Sequence, residues 1–215
     1  MDAGLFGGTF NPLHNGHLGI ISHVKTAFDL DRVILIPSAV PPHKHNTDLI
    51  SAALRLRMVE ETVEQLDGFQ VSDMEMRRSG PSFTIDTIRE FKATQAPGDR
   101  CYFMLGSDAF FDIPTWKETK EIFAAVSVIV MHRGAPEPPR TYGTFIDEHI
   151  ATGYTWNQDN TSFIHPRLHP IHICAVPRID ISSTLIRSRI QQGQSISDLV
   201  PEPVEALIIE KELYT

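Results

Sequence analysis

Ala3-Gly4-Leu5-Phe6-Gly7-Gly8-Thr9-Phe10-Asn11-Pro12-Leu13-His14-Asn15-Gly16-His17 runs a short apolar strand into two adjacent glycines and then into a segment of helical spacing. Paired glycines at the end of a buried strand let the backbone come close to a ligand, and the helix start that follows offers unpaired N–H groups to an anion. Phosphate suits such a turn. Neither GxGxxG nor GxxxxGK[ST] occurs in the stretch, so it is neither the dinucleotide fingerprint nor a Walker loop. It contributes instead His14 and His17, three apart at the mouth of a helix, where they project to the same side and can both donate to one phosphate. A metal site would want a third ligand and carboxylate support, as in HExxH, and neither follows. Simple capping of the turn is the other reading of the pair.

Outward from this stretch, short runs rich in β-branched or aromatic residues alternate with longer segments of helical period. Strands are expected at Ala3–Phe6, Arg32–Pro37, Phe69–Ser72, Cys101–Leu105, Ser127–His132 and His172–Ala175. Helices are expected at Gly16–Phe28, Ser51–Leu66, Thr84–Thr94, Trp116–Ala125, Ser183–Gln192 and Pro203–Glu212. That order implies parallel strands joined by right-handed crossovers: an α/β, Rossmann-like doubly wound sheet with helices on both faces, binding ligands beyond the carboxyl ends of its strands. Residues 134–170 break the alternation, with prolines at 136, 138, 139, 166 and 170. They read as a long irregular excursion: a lid, a subunit contact or a disordered stretch.

The 215 residues suit one domain, 1–215, with the excursion inside it. Hydrophobic residues at 41% and charged residues at 21% describe a folded, water-soluble chain. A net charge of −8 argues against a nucleic-acid polymer as partner, while leaving room for a small anion held by a few well-placed donors. Cys101 and Cys174 sit in apolar runs without CxxC spacing and read as reduced core thiols, not as a disulfide or zinc site. The first residues carry no basic, apolar leader and no run of eighteen apolar residues occurs, so a cytoplasmic protein without membrane contact is expected.

Near the other end, Ile181-Ser182-Ser183-Thr184-Leu185-Ile186-Arg187 follows the last strand and opens a helix. Three hydroxyls in a first turn, with Arg187 one turn on, make a second anion cradle; alone they are also an ordinary N-cap. The two stretches together resemble the HxGH nucleotidylyltransferase superfamily, whose members transfer AMP or CMP from a nucleoside triphosphate to a phosphate-bearing acceptor. Pro41-Pro42-His43-Lys44, Ser82-Phe83-Thr84-Ile85-Asp86-Thr87, Gly106-Ser107-Asp108 and Trp116 narrow the resemblance to the bacterial nicotinate-nucleotide adenylyltransferases, in the family's order and over nearly the whole chain. Phe83 stands where the family often has Tyr, and the excursion is longer than usual.

The resemblance implies AMP transfer from ATP to nicotinate mononucleotide, with magnesium accompanying ATP and no metal held by the protein itself. Nicotinamide mononucleotide or phosphopantetheine as acceptor, and a nucleotide sensor without turnover, are the alternatives, and a homo-oligomer is left open. It assigns the reaction to His14, His17, Lys44 and Arg187. ATP contacts fall to Gly7, Gly8, Thr9, Phe10, His14, His17, Ser107, Asp108, Ile181, Ser182, Ser183, Thr184 and Arg187. Contacts to the mononucleotide fall to Asn11, Lys44, Phe83, Thr84, Asp108 and Trp116. Each has a plainer reading: Lys44 as a solvated loop residue, Thr84 and Asp108 as helix caps, Trp116 as core.

Overall fold

The computed structural model describes residues 1–41, 49–134 and 138–215. Its elements in chain order are β1 (Asp2–Gly8), α1 (Asn15–Ala27), β2 (Arg32–Pro37), α2 (Ala52–Val63), β3 (Phe69–Val71), α3 (Met74–Arg77), α4 (Thr84–Ala93), β4 (Arg100–Gly106), α5 (Ser107–Phe111), a 3₁₀ turn (Ile113–Thr115), α6 (Thr119–Ala125), β5 (Ser127–Arg133), α7 (Pro139–His149), β6 (Thr155–Asn157), β7 (Ser162–Ile164), β8 (Ile171–Val176), α8 (Ser183–Gln191) and α9 (Glu202–Glu210). The chain divides into two compact units: Met1–Phe6 with Phe83–Arg178, and Gly7–Ser82 with Ile179–Thr215.

In the first unit, β1 pairs in parallel with β4, β4 with β5, and β5 with β8, the last ladder running from Val128 opposite Ile171 to Arg133 opposite Val176. Val128, Ile129, Val130 and Met131 are all buried. Four buried residues in succession mark a strand covered on both faces, the ordinary condition of a parallel sheet. Phe110, packed edge-on against Phe123 and tilted on Tyr142, fills the core together with Ile146. Each such aliphatic or aromatic side chain contributes roughly 1.5–3 kcal/mol by leaving water.

In the second unit, β2 pairs in parallel with β3. Helix α1 buries Gly16, Ile20, Ile21 and Val24, one stripe at helical spacing. Ser51 caps α2, its Oγ accepting from the Leu54 N–H at 3.3 Å. Among the described residues no helix is long and apolar enough to cross a membrane. Both cysteines are free thiols, Cys174 buried and Cys101 half-buried.

The segment 134–170 is not the irregular excursion expected. Its residues 135–137 lie outside the described ones, but beyond them come α7 and an antiparallel hairpin of β6 and β7, with β7 pairing antiparallel to β8. The prolines misled because Pro138 is the cap and Pro139 the first residue of α7, positions where a fixed φ and a missing N–H cost nothing. At three residues each, β6 and β7 leave alternation little room to register. The helix expected from Trp116 begins instead at Thr119: Trp116 closes the 3₁₀ turn, and Glu118, at φ 51°, resets the chain before α6.

Candidate active site

The loop that leaves β1 is shaped by one side chain. Phe10 adopts φ 47° and is buried. Its ring lies where a Cβ on residue 8 would be, 2.7 Å from Cε1 and Cζ, so only glycine fits there. A Cβ on Gly7 would meet nothing, and Gly7 is exposed. The Asn11–Pro12 peptide is cis. Three carbonyls of this loop have protein donors: Thr9 from Arg55 Nη1 at 2.7 Å, Asn11 from Arg187 Nη1 at 2.9 Å, and Pro12 from Ser183 Oγ at 3.0 Å. Two of those donors are guanidinium groups. The negative ends of the loop's peptide dipoles are thus neutralised by cations, which lowers the electrostatic cost of bringing an anion to it.

His14 and His17 behave both as caps and as a pair. His14 is the N-cap of α1, and its Nδ1 accepts from the His17 N–H at 3.2 Å. An accepting Nδ1 places the ring proton of a neutral imidazole on Nε2, on the far side of the ring from the cap. The two rings stack with centroids 3.6 Å apart and planes 19° from parallel, and His17 stands edge-on to Phe10 at 5.3 Å. A Cβ on Gly16 would come within 3.0 Å of His14 Nδ1 and 3.3 Å of Ile181 Cβ, so glycine lets both approach the helix start. The first turn of α1 carries no acidic side chain, and the positive end of the helix is not neutralised from within it.

At the start of α8 the three hydroxyls are tied into the protein. Ser182 is the N-cap, accepting from the Leu185 N–H at 3.1 Å, Ser183 donates to Pro12, and Thr184 Oγ1 accepts from Arg187 Nη2 at 3.4 Å. They fix α8 and Arg187 against the loop, leaving the helix start itself and the guanidinium as the groups suited to an anion. Gly7, Gly8, Thr9, Phe10, Asn11, His14, His17, Ile181, Ser182, Ser183, Thr184 and Arg187 are all brought together in the second unit.

Phe83, Thr84, Ser107, Asp108 and Trp116 belong to the first unit. Phe83, not Thr84, is the N-cap residue of α4, and no side chain caps that helix; Thr84 is its first residue. Ser107 and Asp108 open α5 behind the cap residue Gly106, again with no side-chain cap, so Asp108 is an exposed carboxylate and not a capping one. Trp116 is half-buried, edge-on to Phe103 at 6.2 Å, and lines a cleft with Pro114, Thr119, Lys120 and His149. Lys117 Nζ sits 5.0 Å from the Phe83 ring centroid and 2.9 Å from Asp86 Oδ2. Lys44 lies outside the described residues. Among the described residues no group of three or more His, Cys, Asp or Glu gathers to hold a metal.

Two residues missed in the sequence hold the loop from behind. Arg55 is fully buried on α2 and donates to Thr9, to Ala39 O at 3.3 Å through Nη2 and to Ile50 O at 3.3 Å through Nε. Burial pushes its pKa down, an effect opposed by Tyr214 and Glu75. Its signal was legible, since Arg55 falls in phase with the buried stripe Met58, Val59 and Thr62. Tyr214 had none: its Oη donates to Asn11 Oδ1 at 2.9 Å across 203 positions of sequence.

Residues 5–189 match the cytidylyltransferase-like family model. A curated relative from Geobacter sp. (strain M21), named "Probable nicotinate-nucleotide adenylyltransferase", is 41% identical over all of this chain and 98% of its own. One of the same name from Desulfatibacillum aliphaticivorans is 39% identical, with both chains fully covered. The structure of Plasmodium falciparum nicotinic acid mononucleotide adenylyltransferase complexed with NaAD superimposes with a TM-score of 0.73 over 99% of this chain and 97% of that one, at 18% identity. The likeness shows the Rossmann-like nucleotidyltransferase fold.

Proposed function

The chain belongs to the cytidylyltransferase-like family, in its group of nicotinate-nucleotide adenylyltransferases, and from that premise we infer that it transfers AMP from ATP to nicotinate mononucleotide, forming nicotinate adenine dinucleotide and pyrophosphate. The observation that carries the reaction to particular residues is the stacked His14–His17 pair at the start of α1, directly after a loop whose carbonyls are tied back by two arginines and a serine.

An oxygen of the acceptor's phosphate attacks the α-phosphorus of ATP, forming a new P–O bond in line with the breaking bond to the β-phosphate, and pyrophosphate leaves with that electron pair. The attacking phosphate is ionised at neutral pH, so no base need remove a proton. What remains is alignment and stabilisation of charge on the α-phosphate. His14, His17 and Arg187 supply N–H donors to the phosphate oxygens, Lys44 adds a point charge, and the Gly7–Phe10 backbone with the α8 start, Ile181–Thr184, completes the ATP contacts. Ser107 and Asp108 hold the nucleoside, while Asn11, Phe83, Thr84, Asp108 and Trp116 receive the mononucleotide. These donors suit phosphate oxygens and would repel a bare cation, so no side chain of this cluster would hold magnesium; accompanying ATP, it would supply charge neutralisation at the phosphates.

Pyrophosphate release with ATP and magnesium, measured across nicotinate mononucleotide, nicotinamide mononucleotide and phosphopantetheine, tests this reading. Nicotinate mononucleotide should give the highest kcat/KM. Silence with all three overturns transfer, and preference for another acceptor overturns the choice of substrate.

A further inference from the structure

Arg55 is a fully buried guanidinium whose three described bonds all end on backbone carbonyls: Thr9, Ala39 and Ile50. A fork of fixed geometry aimed at three separate chain segments holds their relative positions, which a lysine ammonium does not reproduce. The amide of Asn11 closes the same arrangement, its Oδ1 accepting from Tyr214 Oη at 2.9 Å and from the Ile50 N–H at 3.3 Å. Both arms therefore converge on Ile50 and on the Thr9–Asn11 loop. The chain beyond α9 bends to reach it: Glu212 at φ 48° and Tyr214 at φ 66° occupy the left-handed region that side-chain-bearing residues rarely adopt. Such conformations persist where the surroundings over-determine them.

We propose that Arg55 and Tyr214 are positioning residues for AMP transfer, a buried polar clamp that holds the Thr9–Asn11 backbone in register with His14 and Arg187. The role rests on the function inferred above. Neither residue touches the reacting groups; they act through a loop whose displacement by a fraction of an ångström misaligns the phosphate donors. Misalignment weakens the transition state more than the ground state, so kcat should fall while KM stays nearly constant.

The test compares Tyr214→Phe and Arg55→Lys with Tyr154→Phe, which deletes a tyrosine bond of similar kind, Oη to the His169 carbonyl at 2.8 Å, in the first unit. We expect Tyr214→Phe to lower kcat about tenfold and Arg55→Lys about a hundredfold, with KM for both substrates within about threefold. Amide exchange at Thr9–His17 should quicken in both. Tyr154→Phe should lose comparable thermal stability and keep kcat. If Tyr214→Phe retains wild-type kcat, or if Tyr154→Phe loses as much activity at equal loss of stability, the clamp has no positioning role. A wild type silent with every acceptor overturns the functional reading instead, a result distinct from an active wild type whose variants are unaffected.

Discussion

His14 shows how one side chain serves two ends. Its Nδ1 is engaged by the His17 N–H, which orients the ring as rigidly as a serine cap would and leaves the proton on the opposite nitrogen. His17 lies in the same stack, held between His14 and Phe10, and the cap bond from His14 runs to its backbone N–H, which any residue except proline would keep there. His17→Ala should therefore leave α1 folded and reduce kcat by roughly a hundredfold or more, the scale of losing one transition-state donor. Near wild-type turnover in a variant with an unchanged melting temperature would remove His17 from the reaction. At this scale the sequence was legible wherever chemistry is local. His14, His17 and Gly16 stand within four positions of one another, and their spacing already places them on one helix start. Arg55 and Tyr214 act over 46 and 203 positions, and no spacing rule reaches that far.

Among the elements, strands and helices with long apolar runs were read nearly to the residue: β2 was expected at Arg32–Pro37 and is found there. Short elements were harder to read: α3, β6 and β7 offer three or four residues, little more than one period of the patterns that reveal helices and strands, although β3, equally short, was expected at Phe69–Ser72. Proline was read as an interruption where, at Pro139, it is a beginning. Helix α8 is the element on which the second half of the proposed site depends, and Ser182 is its side-chain cap. Ser182→Ala should cost on the order of 1 kcal/mol in urea unfolding, with a matching loss of activity as Arg187 loses its fixed base. A stability unchanged within error would mean that the ties of Ser183 and Arg187 to the loop hold α8 by themselves.

For the molecule as a whole, partly desolvated titratable groups give stability two edges in pH. Desolvation holds the half-buried His172 below the ordinary value of 6.5, and partial desolvation with Lys92 nearby lowers the exposed His169. Below that value the unfolded chain binds protons that the folded chain refuses, so stability falls as pH falls. At the other edge burial pushes the Cys101 thiol up to about 12 and raises Tyr102, Tyr154, Cys174 and Tyr214. Above the ordinary thiol value of 9.0 the unfolded chain releases protons that the folded chain keeps, and stability falls again. Urea unfolding from about pH 5 to about pH 10 should trace a plateau between these edges; a steady rise through the alkaline limb would contradict it.

The second unit is built from Gly7–Ser82 and Ile179–Thr215, the first almost wholly from what lies between. Synthesis runs in one direction, so a ribosome that has reached Arg178 has delivered every residue of the first unit but not Ser182, Ser183, Arg187 or Tyr214. The glycine loop and both histidines are made well before Ser183, Arg187 and Tyr214, which tie that loop down. A nascent chain stopped at Arg178 has Arg55 to hold the Thr9 carbonyl but lacks the ties from Ser183, Arg187 and Tyr214, so the anchoring of the loop is completed only after the first unit has been made.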